Sequence, residues 1–97
     1  MTARWVHERP HYIASLRRAG VRPRSAEHAA IRATVRALAS SEILPGPLDC
    51  ETLVPPVQRW WVRRIPGHNL WLFYRAQEDV VYLLLVTRQP PVPLDVD

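Results

Sequence analysis

The chain has 97 residues, 47% of them hydrophobic, with 13 basic against 9 acidic side chains and a net charge of +4. That length holds one domain with one core, over residues 1–97, and the apolar content argues for a folded chain rather than a disordered one. The longest apolar run, Val80 to Val86, is too short to cross a bilayer, nothing resembles a signal peptide, and the lone Cys50 excludes an internal disulfide or a thiolate metal cluster; a soluble protein of the reducing cytoplasm is expected.

Arg4 to Glu8 reads as a short strand, and Pro10 suits the first turn of a helix through His11 to Arg18, which Gly20 ends. Ser25 is a good N-cap for a second helix running to about Ala39, with Glu27 favourably placed in its first turn. Ile31, Val35 and Leu38 form its apolar stripe, flanked by Ala30 and Thr34, while Arg32 and Arg36 lie off it, as in a helix that packs one side on a sheet. Leu44 to Pro56 holds four Pro and one Gly and reads as an ordered connector. Three strands follow, Gln58 to Ile65, Leu70 to Gln77 and Val80 to Thr87, separated by the turn residues Pro66-Gly67-His68-Asn69 and Glu78-Asp79. Pro90-Pro91-Val92-Pro93 cannot continue a central strand, so Gln89 leaves the sheet. The expected plan is β-α-α-β-β-β, an α+β two-layer sandwich whose antiparallel meander carries the helices on one face.

Side chains alternate along a strand and opposed residues share a face, so the turns predict two sets. A tight turn at Glu78-Asp79 sets Gln77 against Val80, Arg75 against Tyr82, Phe73 against Leu84, Trp71 against Val86 and Asn69 against Arg88. Pairing of Ile65 with Leu70 sets Arg64 beside Trp71, Val62 beside Phe73 and Trp60 beside Arg75. One face then carries Trp60, Val62, Arg64, Asn69, Trp71, Phe73, Arg75, Tyr82, Leu84, Val86 and Arg88. The other carries Trp61, Ile65, Leu70, Leu72, Tyr74, Ala76, Val81, Leu83 and Leu85, joined by Arg59 and Arg63, and reads as the floor for the helices. A one-residue slip would exchange the sets.

All 13 basic residues are Arg, which a GC-rich genome alone would produce; a pI near 10.2 nevertheless suits an anionic partner such as nucleic acid or an acidic protein. The first face points the same way. Guanidinium groups pair bidentately with phosphate, aromatic rings stack on bases, and the face set contains no acidic residue. Arg64, Arg75 and Arg88, with Trp60 and Trp71 between them, are the candidates to hold RNA. There is no GxGxxG, Walker loop, HExxH or GxSxG, and His7 and His11 alone approach a metal-ligand spacing across a strand-to-helix boundary, so neither metal nor cofactor is expected. His68, in the turn beside the arginines, has the chemistry of a general acid or base near neutral pH. Arginines stabilise the phosphorane-like transition state of RNA cleavage, in which a 2′-hydroxyl attacks and no metal is needed.

The order strand, two helices, connector and three-stranded meander, with RRIPGHNLWLFYR followed by EDVVYLLLVTR inside it, resembles the RelE/ParE superfamily of bacterial type II toxin–antitoxin toxins. The resemblance implies a small cytoplasmic toxin neutralised by a partner antitoxin protein. It implies either ribosome-dependent mRNA endonuclease activity, with ribosome and mRNA as partners, or inhibition of DNA gyrase, as in ParE. Carried over by position, the basic residue ending the last strand of RelE-like nucleases matches Arg88, and those of the first meander strand match Arg63 or Arg64. The arginine after the glycine turn is Asn69 here, with His68 beside it, and the Tyr or His beyond the final strand falls in Gln89-Pro90-Pro91-Val92. HNLWLFYR looks like the ParE-type strand that runs into Phe-Tyr-Arg. The leading expectation is a toxin that inhibits translation by cleaving mRNA, with Arg64, His68 and Arg88 as catalytic groups and Arg63, Arg75, Trp60, Trp71 and Asn69 holding substrate. The alternatives are a non-catalytic gyrase inhibitor and a non-toxic RNA- or protein-binding module.

Overall fold

The computed structural model describes residues 3–54 and 58–90, with the backbone alone at 53, 54, 58 and 59. The expectations for Pro55-Pro56, for Pro91-Val92-Pro93 and for the side chain of Arg59 lie outside the described residues. The elements are β1 (Trp5–Glu8), α1 (Pro10–Arg18), α2 (Ala26–Ser40), β2 (Asp49–Val54), β3 (Gln58–Arg64), β4 (Trp71–Gln77) and β5 (Val80–Thr87). They form an α+β fold with one five-stranded sheet, ordered β1-β5-β4-β3-β2, and both helices on the same face. β1 runs parallel to β5 and the remaining pairs are antiparallel. The connector from Leu44 to Pro56 adds a strand to the expected plan, because Asp49 to Val54 pairs with β3 as an edge strand.

Local chemistry sets the element ends. Pro10 opens α1, and Gly20, at a φ of 73°, closes it: its N–H donates to the Arg17 carbonyl and that of Val21 to Leu16, so the last carbonyls are satisfied and Val21 turns into the core. The Ser25 hydroxyl accepts the His28 N–H at 3.1 Å and caps α2. The last turn of α2 has no basic residue of its own. Arg4, just ahead of β1, supplies one, donating to the Ser41 carbonyl and, at 3.1 Å, to that of Glu42.

The main core lies between helices and sheet. Tyr12, Ile31 and Leu38 from the helices meet Ile65, Leu70, Leu72, Tyr74, Val81, Leu83 and Val86 from the sheet side, with Trp61 packed at the margin. A smaller cluster of Val62, Phe73 and Leu84 lies on the opposite face beneath Trp60, Trp71, Tyr82 and Leu85.

The expected register holds near both turns. Arg64 pairs with Trp71, Val62 with Phe73, Arg75 with Tyr82 and Gln77 with Val80. It fails further along β5, where Tyr74 pairs with Leu83 but Phe73 with Leu85, leaving Leu84 as an extra residue. Trp71 consequently faces Thr87 rather than Val86. The physical reason lies at the neighbouring edge. β1 covers β5 only as far as the pairing of Glu8 with Leu83. The chain then turns into α1, whose buried Ser15 hydroxyl accepts the Val86 N–H at 2.9 Å. Beyond Leu84 the alternation is inverted: Val86 joins the helix-side core and Leu85 the opposite cluster, the reverse of the expected assignment.

Replacing Ser15 by Ala leaves the Val86 N–H buried without an acceptor. The expected cost is about 1–3 kcal/mol, seen as a lower denaturant midpoint at constant m-value; an unchanged midpoint would remove Ser15 from this role.

Candidate nucleic-acid interface

The face of the sheet without helices presents aromatic rings over a small apolar floor, with arginines laid across them. Trp60 and Arg64 come from β3, Trp71 and Arg75 from β4, and Tyr82 from β5. The Arg64 guanidinium lies 5.8 Å from the Trp71 ring centre, and that of Arg75 lies 5.1 Å from Tyr82. Trp60 meets Phe73 edge-on, with ring centres 6.3 Å apart. Cation–π contacts keep each exposed guanidinium beside a ring while leaving its N–H groups free to meet an anion.

β1 extends this face beyond the meander. His7 pairs with Tyr82 in the sheet and its ring stands 5.5 Å from that of Tyr82. Arg9, just past the strand, lies 6.0 Å from the same Tyr82 ring. Trp5, on the same side of β1 as His7, is 78% exposed. Arg9, Pro10, His11, Trp60, Arg75 and Leu84 together line a groove of about 440 Å³. From Trp71 to Arg75 the strand spans about 13 Å. The acidic residues of the strands point elsewhere: Glu8 shares the face of Leu83, Asp49 that of Arg63 and Glu51 that of Trp61. Among the described residues, no strand position on the open face is Asp or Glu.

Two of the expected site arginines are held on the helix side. Arg63 forms a paired contact with Asp49, Nε to Oδ1 at 2.5 Å and the second nitrogen to Oδ2 at 2.9 Å. Tyr74 donates its hydroxyl to the same carboxylate, and so does the Gly46 N–H. The Asp49 side chain is fully buried and that of Arg63 is 11% exposed, so this is a structural pair that joins β2 to β3 and β4. Burial alone would raise the Asp49 carboxyl, but the hydrogen bonds from Arg63, Tyr74 and Gly46 outweigh it and hold the group below its ordinary range.

Arg88, expected on the Trp/Arg face, lies on the helix side because Leu84 inverts the alternation ahead of it. Its guanidinium grips both Glu27 carboxylate oxygens, at 2.8 and 2.9 Å, and donates through Nε to the Ala19 carbonyl at 2.7 Å. The last strand is thereby tied to the end of α1 and the first turn of α2. Hydrogen bonds from Arg88 lower the Glu27 carboxyl, helped by the charges of Arg88 and His68. His68 itself is held in the turn after β3, where its backbone N–H donates to the Ile65 carbonyl at 3.2 Å. Asn69 is exposed in the same turn.

Of the eight expected residues, the structure brings Trp60, Arg64, Trp71 and Arg75 together on one face. Arg63 is built into the Asp49 pair and Arg88 into the Glu27 pair, while His68 and Asn69 stay at the turn. Arg9, His7 and His11 were missed as members of the site, and only the pairing of β1 with β5 brings them in, whereas Tyr82 was expected on this face but not named among the site residues. Among the described residues no three of His, Cys, Asp and Glu gather as a metal site, and no helix is long and apolar enough to cross a membrane. No protein-family model matches the chain, and neither curated proteins nor solved structures give a significant match.

The Asp49 pair generates a prediction with a definite sign. Its carboxyl is depressed in the folded state, so its stabilising contribution is complete above the unfolded value of about 3.9 and is lost as pH falls through the lower folded value. Asp49→Ala, which strands the Arg63 charge, is expected to cost about 3–5 kcal/mol at neutral pH. The gap between wild type and variant should narrow on acidification below about pH 4. Denaturant titrations across that range check it, and a gap independent of pH would refute it.

Proposed function

We propose that the open sheet face binds single-stranded RNA and that the chain is the toxin of a type II toxin–antitoxin pair, inhibiting translation by engaging mRNA in the cytoplasm. The observation that carries this reading is the row of Trp60, Trp71 and Tyr82 crossed by Arg64, Arg75 and Arg9 on a face whose described strand positions hold no Asp or Glu. Bases stack on such rings whatever their identity, and the guanidinium groups take the phosphates between them. Four-stranded RNA-binding sheets stack two or three bases in this manner. The toxin assignment rests on the likeness of the meander and its sequence to the RelE/ParE superfamily, and it brings an antitoxin protein and the ribosome as partners.

Cleavage of the bound RNA would use the 2′-hydroxyl as nucleophile, with Arg64 and Arg75 on the phosphoryl oxygens. The hydroxyl gives up its proton to solvent as it bonds to phosphorus, while the P–O5′ bond breaks and the leaving 5′-oxygen takes a proton from solvent. The engagement of Arg88 with Glu27 argues for a face that holds RNA more readily than it cuts it. That engagement also favours a second reading, a ParE-like inhibitor of DNA gyrase in which the same face docks protein.

Induced expression is expected to arrest growth, with incorporation of labelled amino acids falling before that of thymidine; mapping of mRNA ends then reports cleavage. Continued translation with arrested DNA synthesis selects the gyrase reading, and unimpeded growth with RNA still bound selects a non-toxic binding module. In vitro, Arg64→Ala and Arg75→Ala should each weaken binding to an unstructured oligoribonucleotide and lower the salt slope by about 0.7. Trp71→Ala should cost about 1–3 kcal/mol. Affinity insensitive to salt and to these changes would defeat the RNA reading.

A further inference from the structure

The groove at the β1 end of the open face has features that the flat remainder lacks. Its floor is Leu84, buried and apolar, in front of the point where the register of β4 and β5 shifts. Trp60 lines it from β3, and Pro10 and His11 line it where α1 begins. Arg75 and Arg9 line it as well, both within 6.0 Å of the Tyr82 ring centre. Neither arginine has an ion-pair partner among the described residues. A volume of about 440 Å³ lies within the range of small-ligand sites.

We infer that this groove is a subsite for a single nucleotide, with the base against Trp60 over Leu84 and its phosphate between Arg9 and Arg75. The inference rests on the RNA reading of the open face and deepens it. The two guanidinium groups are free donors to one anion. An indole beside an apolar floor offers a planar ring stacking area without polar groups left unpaired. Among the described lining residues, His11 joins the arginines and the Trp60 indole N–H as the groups able to meet a base edge by hydrogen bonding, and none is a carboxylate or an amide. Recognition should therefore depend strongly on the phosphate and weakly on the base. Pro10 and the start of α1 lie at the same edge, so the groove suits a terminal or turned-out nucleotide rather than one inside a straight run.

The test is an NMR titration of the full chain with AMP, GMP, CMP and adenosine, following the Trp60 indole N–H, which Trp60→Phe assigns. All three nucleotides should shift that signal with affinities within about tenfold of one another, and adenosine should bind at least about tenfold more weakly than AMP. Arg9→Ala and Arg75→Ala, both at exposed positions, should each weaken AMP by about tenfold or more, while Arg36→Ala on α2 leaves it unchanged. The subsite is overturned if adenosine binds as well as AMP, if both arginine variants bind normally, or if AMP shifts the Trp71 indole instead. A second titration with an oligoribonucleotide separates the two readings. Oligonucleotide binding without any response to AMP removes the groove and leaves the platform, whereas loss of both removes the platform as well.

Discussion

The Val86 amide reaches past the end of β1 to the Ser15 hydroxyl, and this contact accompanies the register on which both faces of the sheet depend. A regular β5 would have carried Val86 to the open face and pushed Leu85 into the helix-side core. The extra residue at Leu84 lets β5 change partners, from a parallel strand along its first half to a helix along its second, without leaving a buried N–H unpaired. Everything beyond Leu84 inherits the inverted alternation, including Arg88 and its grip on Glu27.

The distribution of charge follows from that geometry. Asp49 and Glu27 lie on the helix side, and each holds one arginine there, Arg63 in a buried pair and Arg88 in a more exposed one of 42% and 27% side-chain accessibility. The two pairs serve different ends. The Asp49 pair anchors the added edge strand, because its carboxylate gathers donors from β3, β4 and the connector around one buried charge. The Glu27 pair locks the end of β5 to both helices in a setting that solvent screens. On the open face Arg9, Arg64 and Arg75 have rings as partners and no carboxylate partner among the described residues, so their positive charge remains available to a ligand.

Much of the fold was legible because it is written in local signals. Pro10, Gly20 and Ser25 bracket the helices through backbone chemistry that acts within a few residues, and the two hairpin turns establish the first pairs on either side. Arg64 beside Trp71 and Arg75 beside Tyr82 were correct for that reason. β2 was less visible, since Pro45, Gly46 and Pro47 precede it and Pro55-Pro56 follow it, and its strand state comes from pairing with β3 and the Asp49 contact rather than from strong alternation. His7 and Arg9 could not be placed on the platform from their own neighbourhood, because their position depends on a parallel pairing with a strand more than seventy residues away.

Taken alone, the sequence determined the α+β plan, the order of the elements other than β2, the limits of both helices and the four residues Trp60, Arg64, Trp71 and Arg75 on one face. These follow from hydrophobic period, turn residues and caps, all of which act over short stretches of chain. Tertiary structure decided that Arg63 and Arg88 are partners of Asp49 and Glu27, and that Arg9 and His11 complete a groove with Trp60 and Arg75. Those outcomes rest on a one-residue shift in β5 and on contacts between distant segments. Such shifts invert the faces without altering any local preference, so no reading of neighbouring residues could have revealed them.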